Sequence, residues 1–138
     1  MSFLLDPRLE RDCFLVGDIG LSRVLLMNDR RWPWLVLVPR RPGVIELMDL
    51  DQADRTRLVE EAALAAGFLK AHAKAHKINV GALGNVVAQF HLHVVARWFG
   101  DPAWPGPVWG HGVASPYDGV DAQGLITAAR KALGVERR

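Results

Sequence analysis

The chain has 138 residues, half of them apolar and five of them tryptophan, which is material for one domain spanning 1–138 and not for two. A formal charge of +2, with no basic run denser than the pairs Arg30-Arg31 and Arg40-Arg41, suits small anions such as phosphates and excludes a nucleic-acid partner. Cys13 is the only cysteine, so neither an internal disulfide nor a cysteine zinc knuckle is available, and no segment approaches the ~20 apolar residues of a membrane span. The opening "MSFLLDPRLE" has acids almost at once and no apolar run of signal-peptide length, so a cytoplasmic location is expected.

In chain order, "DPRLERD" (6–12) predicts a short helical turn, with Pro7 suited to a first helical position. "CFLVGDI" (13–19) and "LSRVLLMN" (21–28) read as a strand hairpin around Gly17 and Gly20. "DRRWPW" (29–34) reads as a loop, and "LVLVPR" (35–40) as a strand buried on both faces. Residues 51–76 carry the clearest helix, N-capped by Asp51. A stripe of Leu58, Ala62, Ala65, Leu69 and His72 at spacings of three and four faces the core. "INVGALG" (78–84) leads from a short strand into a glycine turn, and 86–98 reads as the last strand. The Pro/Gly/Trp segment 100–112 is too rigid and aromatic for a free linker, and 121–133 reads as a terminal helix capped by Asp121 and stopped near Gly134. Strands with short connections on either side of one long helix predict an α+β fold with a mainly antiparallel sheet.

The stretch "QFHLHVVAR" (89–97) concentrates the chemistry. Side chains alternate along a strand, so Gln89, His91, His93, Val95 and Arg97 share one face, about 6.5–7 Å apart. Phe90, Leu92, Val94 and Ala96 share the other, ready to pack on the long helix. A polar row held by a packed strand is well preorganised for chemistry.

Three uses fit such a row. Each histidine can be a hydrogen-bonded structural residue. His91 and His93 can supply two imidazoles to a metal, with His111 as a third ligand, although zinc wants three or four. His72 and His76, at i and i+4 on the helix, also fit a metal, but His72 continues the core stripe and His76 complements a helix C-terminus. Finally, a neutral imidazole is a nucleophile: if one ring nitrogen donates to a backbone carbonyl, the other keeps its lone pair and can attack a phosphate.

The motif and its flanks resemble the histidine triad (HIT) family. "QFHLHVV" resembles that family's His-φ-His-φ-His-φ-φ, where φ is apolar, with Gln89 in the place of the first histidine. "RVLLMND…WLVLVPRRPGVIELMDL" resembles the strand, turn and strand that precede the family's long helix, and "NVGALGN" its phosphate loop. "RWFGDPAWPG" resembles the tail of a bacterial branch. The resemblance implies a HIT-like fold with a mainly antiparallel five-stranded sheet, one long helix and one or two short ones, usually dimerised into a ten-stranded sheet. It also implies a nucleotide hydrolase or nucleotidyl transferase acting on the α-phosphate of adenylylated substrates, such as dinucleoside polyphosphates or nucleoside phosphoramidates, through a histidine-nucleotidyl intermediate and without a cofactor.

By position, His91 then matches the nucleophile and His93 the histidine near the leaving group. Asn28 matches a ribose ligand, Gly84 and Asn85 the phosphate loop, and Asn79 a further polar contact. Gln89 can hydrogen-bond but cannot titrate. Val86 stands where a Ser or Thr often donates to the leaving group, and Trp34 near a supporting histidine. Two rival expectations are a nucleotide-binding protein with a vestigial site and a metal-dependent hydrolase using His91 and His93. Trp98, Trp104 and Trp109 are expected to fill the core or a dimer interface, with base stacking as the alternative.

Overall fold

The computed structural model describes residues 2–136. Asp6 opens the first helix, α1 (Pro7–Asp12), by accepting from Arg8 N, and Pro7 takes the first turn as expected. β1 (Cys13–Asp18) and β2 (Ser22–Met27) form the hairpin, with an irregular register between Leu15 and Gly17. β3 (Trp34–Pro39) is buried at all six positions, as a continuous apolar run in a middle strand must be. It starts one residue earlier than expected, which brings Trp34 into the sheet.

A single 3-10 turn (Leu47–Asp49) leads to α2 (Gln52–Ala73), N-capped by Asp51, which accepts from Asp54 N. α2 ends at Ala73, short of 76, because Lys74 turns into the left-handed region (φ 52°) and its N–H returns to Lys70 O. β4 (Lys77–Gly81) and β5 (Leu92–Arg97) follow, and α3 (Gly119–Leu133) closes the chain. α3 is capped by Asp118, and Asp121 lies in its first turn.

The sheet runs β1-β2-β3-β5-β4 with every neighbouring pair antiparallel, so the α+β expectation holds. α2 and α3 cover one face, where Leu58, Ala62, Ala65 and Leu69 meet Leu35, Leu37, Phe90, Val94 and Ala96. His72 does not extend that stripe: it is exposed and stacks on Phe68 at 5.2 Å. The other face carries a second core of Leu9, Leu25, Trp32, Trp34, Val36, Val38, Val95 and Val108. α1 and the 100–112 segment fold onto this face through Leu9 and Val108.

The last strand is shorter than expected. β3 pairs with β5 from Trp34–Val95 to Leu37–Leu92, and β4 ends at Gly81–His93. Before Leu92 the ladder with β3 stops although β3 continues to Pro39; residues 82–91 leave the sheet, and Phe90 N donates to Val44 O instead. His91 therefore sits just ahead of the strand and His93 within it.

Candidate active site

Alternation along β5 turns His93, Val95 and Arg97 away from the helices, as expected. His91 joins them, its ring 4.9 Å from that of His93 and nearly edge-on to it. Both imidazoles are buried. His91 Nδ1 lies 2.7 Å from Gln89 O. A carbonyl only accepts, so Nδ1 is the protonated nitrogen and Nε2 keeps its lone pair.

His93 has the opposite arrangement. Trp34 Nε1 donates to His93 Nδ1 at 2.9 Å across the β3–β5 pair. The Trp109 ring covers it at 5.5 Å, approaching through the gap left by Gly81, where a Cβ would come within 3.1 Å of the indole. Burial among these groups, and then the neighbouring His91, push the His93 pKa down from 6.5 to about 3.

His91 opens onto a cavity of about 190 Å³. Its walls are Ile45, Glu46 and Leu47 from the approach to α2, Leu83 and Gly84 from the turn after β4, and Phe90. Gly84 adopts φ +74°, so the turn requires a glycine for its conformation; the space at its Cβ position is ordinary. Asn85 is exposed beside it. A larger hollow of about 370 Å³ lies on the same sheet face, walled by Phe3, Leu5, Cys13, Arg23 and Leu25. Burial pushes the Cys13 thiol up to about 12, which leaves it unreactive.

The structure places the remaining expected residues as follows. Gln89 spans the N-terminal segment: its Oε1 accepts from Asp6 N and its Nε2 donates to Leu4 O, both at 2.8 Å. Asn79, on β4, accepts at Oδ1 from Arg97 Nη1 at 2.8 Å. Asn28 lies beyond the end of β2, and its Oδ1 accepts from Tyr117 N at 2.9 Å, in the segment leading to α3. His111 packs against the Trp32 ring and does not join His91 and His93. Among the described residues no group of three or more His, Cys, Asp or Glu side chains is placed to hold a metal ion.

Sequence reasoning missed three features. Trp34 was seen only as a departure, and its donor role depends on a partner 59 residues away. Arg97, 1% exposed, ties the tail to the sheet through Asp101 (2.7 and 2.9 Å) and Gly106 O, and holds the Asp101 carboxyl well below the usual carboxylate range. Arg8, chelated by Asp6, reaches from α1 to Val86 O at 3.0 Å beside the 82–91 loop. An isolated Arg or Trp in a sequence carries no signal of such contacts.

An antiparallel sheet that holds two buried imidazoles in contact with opposed tautomers, one of them lining a small cleft, defines a histidine-based site on an α+β scaffold. The HIT domain model matches residues 8–100, and the chain belongs to the histidine triad (HIT) family. Among solved structures, a HIT protein from Sinorhizobium meliloti is 49% identical, with TM-score 0.92, covering 95% of this chain and 97% of that one. A histidine triad protein from Bradyrhizobium japonicum is 41% identical, with TM-score 0.93 and coverages of 96% and 99%. One from Marinobacter aquaeolei is 40% identical, with TM-score 0.94 and coverages of 97% and 98%. A histidine triad nucleotide-binding protein from Sulfolobus tokodaii, described as hypothetical, shares the fold at 14% identity and TM-score 0.67, with coverages of 88% and 84%. No curated protein matches the chain.

Proposed function

We propose that this protein is a nucleotide hydrolase that attacks the α-phosphate of an adenylylated substrate, such as a dinucleoside polyphosphate or a nucleoside phosphoramidate. The observation that carries the reading is the 2.7 Å contact from His91 Nδ1 to Gln89 O, which leaves the Nε2 lone pair facing the cleft chemistry. Nε2 forms a bond to phosphorus as the bond to the leaving group breaks, and the leaving group departs with that electron pair and takes a proton from water. A second water attacks the phosphorus and gives a proton to the hydroxide left by the first, the P–N bond breaks, and the lone pair returns to Nε2.

His93 and the second amide hydrogen of Gln89 flank the bound phosphate, with Gly84 and Asn85 contributing turn backbone and side chain. Asn28 holds the ribose with the amide NH₂ that its bond to Tyr117 leaves over, and Asn79 supports the site through Arg97. HIT membership supports the nucleotide class of substrate.

The test is intact-mass analysis of the protein mixed with a panel of adenylylated compounds, in the presence of a chelator. The expected result is product release and a trapped nucleotidyl adduct that maps to His91. Turnover that a chelator abolishes and zinc restores would overturn this mechanism. Binding of AMP with neither adduct nor turnover would make the protein a binder.

A further inference from the structure

Trp34 enters the site from β3, and its only polar atom is spent on His93. An indole N–H donates and never accepts. The 2.9 Å contact therefore requires His93 Nδ1 to present a lone pair. A neutral imidazole carries one N–H, so that of His93 must be on Nε2. Were His93 to become an imidazolium, its Nδ1–H would point at the indole N–H, donor against donor, in a buried place. A histidine at position 34 would not impose this rule, because an imidazole can donate or accept.

We infer that Trp34 is a positioning residue that locks His93 in its neutral Nε2–H form, so that His93 acts in the reaction as a fixed hydrogen-bond donor to the phosphate and never as a source of a proton. This rests on the hydrolase reading only for the identity of the acceptor; the lock itself is a property of the free protein.

The surroundings agree on every side. Next to β5's first residue, His91 is the ring in contact with His93, and it disfavours a charge there. From β4, Gly81 presents only backbone opposite His93. From the tail, the Trp109 indole meets the ring edge-on at 5.5 Å. Arg97, further along the same face, is paired with Asp101. Trp34 itself is fixed by its position in the sheet and by Trp109, whose ring meets it edge-on at 6.4 Å. The lock is therefore rigid before any substrate arrives. It also divides labour in the pair: His91 keeps a free Nε2 lone pair for attack, and His93 keeps a hydrogen on its Nε2 for an oxygen.

Long-range proton–nitrogen correlation spectra of the ¹⁵N-labelled full chain report directly which imidazole nitrogen is protonated, with the His93 signals assigned by their loss in His93→Gln. In the wild-type protein, His93 should show a bare Nδ1 and a protonated Nε2, unchanged between about pH 5 and 8, the window in which an ordinary histidine titrates. In Trp34→Phe, which keeps an aromatic ring but removes the donor, His93 should populate both tautomers or titrate within that window. The kcat for the adenylylated substrate should fall about 10- to 100-fold with little change in KM, the scale for groups that orient a functional imidazole from behind. If Trp34→Phe does not fold, incorporation of 3-benzothienylalanine at 34 replaces the N–H by sulfur at nearly constant shape. A protonated Nδ1 in the wild-type spectrum, or an unchanged His93 tautomer without titration once the donor is gone, would overturn the inference. A wild-type protein with the expected tautomer but no turnover would sink the hydrolase reading and leave the lock standing.

Discussion

Two imidazoles two residues apart meet different neighbours: a backbone carbonyl on Nδ1 of His91, and an indole N–H on Nδ1 of His93. His91→Asn keeps a polar group of similar size but removes the nucleophilic nitrogen, so adduct and turnover should vanish while AMP still binds. Substantial turnover by that variant, followed by product chromatography, would remove His91 from its role. His93 has a separate signature in stability. Folded, it takes a proton only near pH 3; unfolded, near 6.5. Above 6.5 neither state binds that proton, and the contribution to stability is fully present. As pH falls from 6.5 toward 3, the unfolded chain gains a proton that the folded chain refuses, and stability is lost across that window. His93→Gln keeps an acceptor for Trp34 and does not titrate, so its Tm should fall less than that of the wild type between pH 7 and 4. Parallel Tm profiles for the two proteins would contradict this.

At the level of elements, the periodicity of the sequence carried most of the fold. The α2 stripe, the hairpin, and the alternation that puts Phe90, Val94 and Ala96 on the helix face are local patterns, and local patterns are what a sequence displays. The extent of the last strand was not legible, because strand length is decided by the partners: the β3–β5 ladder stops at Leu37–Leu92, and β3 goes on to Pro39 paired only with β2. Nor was the occupation of Gln89. A primary amide offers a donor nitrogen and an acceptor oxygen in one plane, which matches a backbone N–H and C=O two residues apart, and Gln89 turns one N–H and its oxygen to Leu4 and Asp6, more than 80 positions away. Such a pairing leaves no local trace. Position 89 thus staples the N-terminal segment beside His91. Gln89→Ala should therefore release this segment. Loss of two hydrogen bonds of roughly 0.5–1.5 kcal/mol each should lower stability modestly, and the Asp6 amide should exchange much faster in hydrogen-exchange mass spectrometry. Unaltered exchange at Asp6 would show that Arg8 and its bond to Val86 O hold the segment without help.

For the whole molecule, the two edges of the sheet differ. The β1 edge is covered: Arg130 Nε donates to Val16 O at 2.7 Å, Glu136 N donates to Asp18 O at 2.8 Å, and Val135 packs against Gly17. The β4 edge has no such cover from α2 or α3 along its outer side, and Val80 stands 51% exposed there. An edge strand with exposed apolar side chains and few charges invites pairing with another strand. The only charged residue within β4 is Lys77, at its start, where its Nζ is bonded to Ile78 O. We therefore expect two copies to join β4 to β4, antiparallel about a two-fold axis, and extend the five strands of each into one ten-stranded sheet. Because β4 lies beside β5, that pairing would set the two sites back to back and brace Gly81 and Asn79, which support His93 and Arg97. Light scattering at micromolar concentration should return twice the 15.3 kDa chain mass. Val80→Lys adds a charge on the exposed edge that meets its own copy near the axis, and should shift the mass to that of the monomer without lowering the helix content seen by circular dichroism. A monomeric wild-type protein, or a Val80→Lys protein that remains dimeric, would place the contact elsewhere or remove it.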